Sequence, residues 1–167
     1  MGAKINYPDF LRKLDLKLNA YFESFGENIC CQKGCSLCCE KGEYPISDIE
    51  LEYLMSGYMQ LAPEIKIQVQ NNIKEMKKGE ACPFLINKEC SLYKYRPIIC
   101  RVHGLAYIYK DNNVKLPHCV NEGKNFSKQY KNNYFEGTPI NNNLDTEILL
   151  EGLYSEIRNL YDWIKHD

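Results

Sequence analysis

Cys30-Cys31-Gln32-Lys33-Gly34-Cys35-Ser36-Leu37-Cys38-Cys39 places five of the chain's nine cysteines within ten residues. Cys82, Cys90, Cys100 and Cys119 follow at wide intervals. Thiolates two or three residues apart meet one ion with little loop-closure entropy, and Gly34 lets the backbone turn tightly beside it. Buried structural cysteines account for one or two such residues but not for five in ten. A disulfide framework fits poorly, because the count is odd and neighbouring cysteines are poor mutual partners. The opening MGAKINYPDFLRKLDL has no continuous apolar stretch and carries acids early, unlike a secretory signal. The expected location is therefore cytoplasmic, where thiols stay reduced and such a pattern reads as metal-binding.

The adjacent pair Cys38 and Cys39 carries a further expectation. On an extended backbone neighbouring side chains diverge, so the two seldom serve one tetrahedral ion. Either each faces its own metal or one is structural. Setting Cys30 aside leaves eight thiols, enough for two four-thiolate sites or for one cluster with extras. The spacing Cys31-x3-Cys35-x2-Cys38 also matches the tripod of radical S-adenosylmethionine enzymes. Here it follows a helical stretch rather than a strand, and Leu37 stands where an aromatic is usual. The match shows only that this spacing is competent for a cluster.

The composition supports one soluble domain spanning 1–167, with 44% apolar and 26% charged residues among 167. A formal charge of −1 gives no broad attraction to nucleic acid or to an anionic membrane. No apolar run approaches the ~20 residues that cross a bilayer. Gly2 follows Met1, but Asn6 stands where myristoylation needs Ser or Thr.

The expected fold is mainly α with small irregular β-hairpins (α+β), its helices packed around a central cysteine-rich metal site. Within 1–28, Pro8 and Asp9 open an apolar series (Phe10, Leu11, Leu14, Leu18, Tyr21, Phe22 and Phe25) at helical steps, stopped near Gly26. The core spans 29–120. In it Ser47 and Glu50 form a capping box, with Ile46 and Leu51 as the hydrophobic staple, and the helix they start runs to Gly57. Another starts near Pro63, buries Ile65, Val69, Ile73 and Met76, and ends at Gly79. Short hairpins are expected around Asn87-Lys88-Glu89 and around Asp111-Asn112-Asn113, with a helical turn over Pro97–Arg101 between them. An Asn-rich loop covers 121–142, with a helical turn near Phe126–Tyr130. A closing helix fills 143–167, with Leu149, Leu153, Ile157, Leu160 and Ile164 on one face.

The second half has its own signature: Cys82-Pro-Phe-Leu, Cys90-Ser-Leu-Tyr-x2-Arg96-Pro97-x2-Cys100-Arg101, and then Cys119. With Cys35-x2-Cys38-Cys39 it resembles the bacterial CxxCxxCC cysteine-cluster family, described as zinc- or iron-chelating or Fe–S-cluster-containing and related to flagellin lysine methylases. The likeness covers about residues 30–120. It implies metal binding by Cys35, Cys38, Cys39, Cys82, Cys90 and Cys100, and more weakly by Cys31 and Cys119. Three residues separate Cys31 from Cys35 where the family name implies two, so Cys30 stands as a substitute for Cys31.

Four thiolates around a divalent ion leave a net charge near −2, costly to bury uncompensated. Arg96 and Arg101 are placed to offset it, with His103 beside them. His103 and His118 can also complete a mixed Cys/His site. Tyr93, Tyr95, Tyr107 and Tyr109 are expected in core and hairpin packing. The cofactor is expected to be an iron–sulfur cluster or zinc/iron ions, with a redox or protein-modification role. The alternatives are a structural zinc module for a protein partner or a methylase-type enzyme. Against the last stands the lack of a strand followed by a Gly-rich turn and an acidic residue. No Ser/His/Asp or Cys/His nucleophile pattern appears, so no reaction is assigned.

Overall fold

In a computed structural model of the chain, residues 6–31, 34–108, 114–128, 144 and 146–165 are described. They form two compact units, each built from two stretches of chain: Met1–Gln32 with Arg101–Leu153, and Lys33–Cys100 with Tyr154–Asp167.

In the first unit, α1 spans Tyr7–Ser24. Its start follows from local chemistry: the Asn6 side chain accepts from the Asp9 amide, and Pro8 sits in the first turn, where its missing N–H costs nothing. Tyr7, Leu11, Leu14 and Leu18 are the buried stripe, at the expected helical spacing. A 3-10 turn (Gly26–Asn28) leads into the cysteine segment. The antiparallel pair β4 (Tyr107–Ile108) and β5 (Val114–Lys115) is the second expected hairpin; its turn lies outside the described residues. Val102, Leu105, Ala106, Val120, Phe126, Leu144 and Leu150 complete the buried apolar set. Residues 129–143, most of the expected Asn-rich loop, lie outside the described residues.

The second unit contains α2 (Leu37–Glu40), β1 (Pro45–Ser47), α3 (Asp48–Met59) and α4 (Pro63–Glu75). It continues through β2 (Leu85–Ile86), β3 (Glu89–Cys90) and a 3-10 turn at Tyr93–Tyr95. The capping box at Ser47 and Glu50 is fully made. The helix Pro63–Glu75 ends four residues before Gly79; that glycine instead bridges to Gly42. The β2–β3 hairpin turns through Asn87 and Lys88, both with positive φ, the two-residue geometry matching the twist of its strands. The core gathers Ile46, Leu54, Val69, Phe84, Leu92 and Leu160, with Cys82 and Cys90 packed against its edge.

One expectation is corrected here. The closing helix over 143–167 is instead α6 (Thr146–Leu149), β6 (Ile157–Asn159) and α7 (Leu160–Lys165). Gly152 takes a left-handed conformation between them. β6 pairs antiparallel with β1, setting Ile46 opposite Arg158 and Ser47 opposite Ile157, and the Asp48 carboxylate accepts from the Ser155 amide. Strand pairing against a buried Ile46 thus overrides the helical spacing of Leu153 and Ile157. The second unit's centre is aliphatic and aromatic, with cysteines at its margin. Among the described residues no three His, Cys, Asp or Glu side chains are arranged to hold an ion.

Candidate metal centre

Five cysteines from four separate segments belong to the second unit, with Cys38 in electrostatic reach of each of Cys39, Cys82, Cys90 and Cys100. Cys38 and Cys39 lie on α2, and their sulfurs are 3.8 Å apart. The expectation of divergence assumed an extended backbone; the helical turn instead sets the two sulfurs side by side. The Cys82 amide donates to the Cys39 carbonyl at 2.8 Å, tying the two segments together. Cys82 and Cys90 bracket the β2–β3 hairpin, whose register places Leu85 opposite Cys90. Cys100 lies on α5 (Ile98–Val102).

The position of α5 is set from inside the unit. Glu50 is fully buried, and its carboxylate accepts from the Ser47 amide at 2.7 Å, the Ser47 hydroxyl at 2.8 Å and the Ile98 amide at 2.8 Å. One carboxylate therefore caps the start of α3 and the start of the turn carrying Cys100, where its charge also meets two helix dipoles favourably.

The thiols show how burial and charge compete. Cys39 donates to Cys38, which holds the Cys38 thiol below its ordinary value, helped by a backbone N–H and the Arg96 guanidinium and opposed by burial. The same hydrogen bond, then burial and the neighbouring sulfurs, push Cys39 up. Burial pushes Cys82 from the usual 9.0 up to about 12, against a hydrogen bond from the Phe84 amide. Cys90 is raised by burial too, against the Leu92 amide and Arg96. Cys100 is pushed well up, first by burial and then by Cys82, Cys90 and Cys38. In Cys82-Pro-Phe84 and Cys90-Ser-Leu92 alike, the amide two residues on points at the sulfur. Such N–H donors stabilise thiolates.

Arg96 is the cation of this group. It donates to the Tyr93 carbonyl at 3.0 Å and the Cys100 carbonyl at 3.4 Å, and stacks 3.6 Å over the Tyr93 ring. Tyr93 is exposed beneath it rather than in the core. Tyr95 packs against Gly57, where an added Cβ would come within 2.3 Å of its ring. The side chain of Tyr107, and all of Tyr109, lie outside the described residues.

Cys35 is exposed on the segment leading to α2. Cys31, Cys119, Arg101 and His103 belong to the first unit. Arg101 is buried and its Nη1 grips both oxygens of Asp15 on α1, at 2.7 and 2.6 Å. Cys119 is buried and His103 half-buried; the side chain of His118 is outside the described set. Cys31 has a built environment that sequence reading missed. Buried Asn125 donates to its sulfur at 3.1 Å and to the Gly104 carbonyl at 2.9 Å, and accepts from the Cys30 amide at 2.7 Å. Gly104 approaches closely enough that a Cβ there would stand 2.6 Å from the Cys31 sulfur.

Tyr44 was also missed. Its hydroxyl oxygen is buried with no hydrogen-bond partner among the described residues. Burial first, then the charges of Cys82, Cys39, Cys100 and Cys38, push the phenol up. It sits between Gly42 and Pro45 in a stretch read only as loop, with no periodicity to flag it.

The donor set suits a soft or borderline divalent ion. Five sulfurs, two amides directed at sulfur, one guanidinium and an orphaned hydroxyl are what a buried thiolate centre requires. No helix among the described residues is long and apolar enough to cross a membrane. No curated protein and no solved structure matches the chain. One family model does match, over residues 30–132 and so more than half of the chain, described as "CxxCxxCC: Putative zinc- or iron-chelating domain". The chain belongs to that CxxCxxCC family.

Proposed function

We propose that this protein chelates a single zinc or iron ion with a tetrathiolate set of Cys38, Cys82, Cys90 and Cys100, with Cys39 as a fifth thiol beside it. The observation that carries the reading is the gathering of five cysteines from four sequence segments in one unit, with Cys38 in electrostatic reach of each of the others. The 3.8 Å between the Cys38 and Cys39 sulfurs is about the edge of a tetrahedron with metal–sulfur bonds of ~2.3 Å. Cys39 therefore stands at a ligand's distance from Cys38, next to the shell that the four other thiols fill. That spacing also favours one ion over a four-iron cluster, in which each iron takes a single thiolate.

Cys38 is the thiol closest to ionised at neutral pH and serves as the first anchor for an incoming ion. Cys82, Cys90 and Cys100 would hold the ion as thiolates, their protons passing to solvent. Arg96 and the Phe84 and Leu92 amides offset the negative charge that builds up. Titration of the reduced protein with zinc under anaerobic conditions, followed by isothermal calorimetry and elemental analysis, tests this. One ion per chain with release of more than one proton near pH 7 is expected. No saturable binding, or binding unchanged in Cys82→Ser and Cys100→Ser, would refute it.

A further inference from the structure

The Tyr44 hydroxyl is a buried polar group with no partner among the described residues, and it lies in electrostatic reach of Cys82, Cys39, Cys100 and Cys38. Buried hydroxyls are ordinarily hydrogen-bonded, so an orphan in a folded unit calls for an explanation. Its position is fixed from both sides. The Tyr44 carbonyl accepts from the Leu160 amide at 2.8 Å, and its ring lies over Gly42, where a Cβ would be 3.6 Å from the hydroxyl. Gly42 is held in turn by a hydrogen bond that its N–H donates to the Gly79 carbonyl at 3.1 Å. The hydroxyl is therefore held by a braced backbone rather than by a free loop.

We propose that Tyr44 is a positioning residue of the metal centre, its hydroxyl donating a hydrogen bond to a thiolate once the ion has ionised the cysteines. This rests on the chelation reading above. A neutral thiol is a weak acceptor, and a metal-bound thiolate a good one. The phenol, ordinarily protonated to about pH 10, supplies a neutral donor. Tyr44 thus complements Arg96: one donates without charge from within, and the other supplies a cation at the half-exposed side. A metal-bound thiolate would supply the acceptor that this hydroxyl lacks among the described residues.

Competitive titration of wild-type protein and Tyr44→Phe with zinc and a chromophoric chelator tests this, together with thermal unfolding of both proteins metal-free. Phenylalanine keeps the ring and removes only the donor. The expected result is an affinity loss of about ten- to a hundredfold, with the metal-free unfolding temperature unchanged or raised. The cobalt-substituted protein adds a spectroscopic readout: the sulfur-to-cobalt charge-transfer band should shift in Tyr44→Phe, because a hydrogen bond to the sulfur is lost. Equal affinities and superimposable bands would overturn the role of Tyr44 while leaving chelation intact. A lower metal-free unfolding temperature with unchanged affinity would make Tyr44 merely structural. Failure of the wild-type protein itself to bind would instead remove the chelation reading.

Discussion

At the scale of single residues, the five gathered thiols are not equivalent, and their differences give the first prediction. Cys38 has a neighbour that donates to it, a nearby guanidinium and its own backbone N–H. Cys100 has burial and three neighbouring sulfurs against it, with only Arg96 in its favour. Cys38→Ser should therefore abolish binding at micromolar zinc. Cys39→Ser should retain one ion per chain, because the proposed ligand set of Cys38, Cys82, Cys90 and Cys100 stays complete and keeps its first anchor. Cys35→Ser should bind like the wild type, since Cys35 is exposed. Elemental analysis of the three desalted variants distinguishes these outcomes. The sequence made the cysteines conspicuous, but it could not rank them. Rank depends on burial and on which amide points at which sulfur, and both arise only when distant segments meet. Tyr44 and Asn125 were illegible for the same reason, as each acts through partners far away or absent from the chain.

At the scale of elements, the local signals that survive folding are those satisfied within a few residues. The Ser47–Glu50 capping box, the Asn6 cap with Pro8, and the Asn87-Lys88 turn all form where their chemistry requires. The closing helix failed because its apolar spacing was also compatible with a strand, and β1 offered a partner whose Ile46 is wholly buried. Glu50 shows a local signal with a non-local consequence, since its second oxygen caps α5. Glu50→Ala should cost about 2–4 kcal/mol of stability, by losing the α3 cap and leaving the Ile98 amide unsatisfied. Glu50→Gln should recover part of it. Chemical denaturation measures both, and an Ala variant within 0.5 kcal/mol (a typical surface-substitution effect) of wild type would contradict this role. Gly57 gives a steric counterpart. An alanine there collides with the Cβ and ring of Tyr95 rather than with a flexible tip, so Gly57→Ala should cost about 1–3 kcal/mol. The same variant should weaken zinc binding, because Tyr95 lies between Cys90 and Cys100 in the chain.

At the scale of the whole molecule, metal, protons and folding are linked. Cys82 ionises at the usual 9.0 when unfolded but near 12 in the folded metal-free protein. A raised folded value means that the folded state holds its proton more tightly. That contribution to stability is complete below pH 9 and is lost as pH rises from 9 toward 12. The metal-free protein should therefore lose stability across that window, as measured by urea midpoints in a pH series. The metal-bound protein should not follow, because its thiolates are already ionised. Conversely, acidification should release the ion as protons compete for the sulfurs. X-ray absorption at the metal edge of the anaerobically prepared, fully loaded protein reads the centre itself. The account predicts one zinc or iron per chain with four sulfur neighbours at ~2.3 Å and no metal–metal scattering. A shell dominated by nitrogen or oxygen, or a metal–metal contribution with acid-labile sulfide, would contradict it.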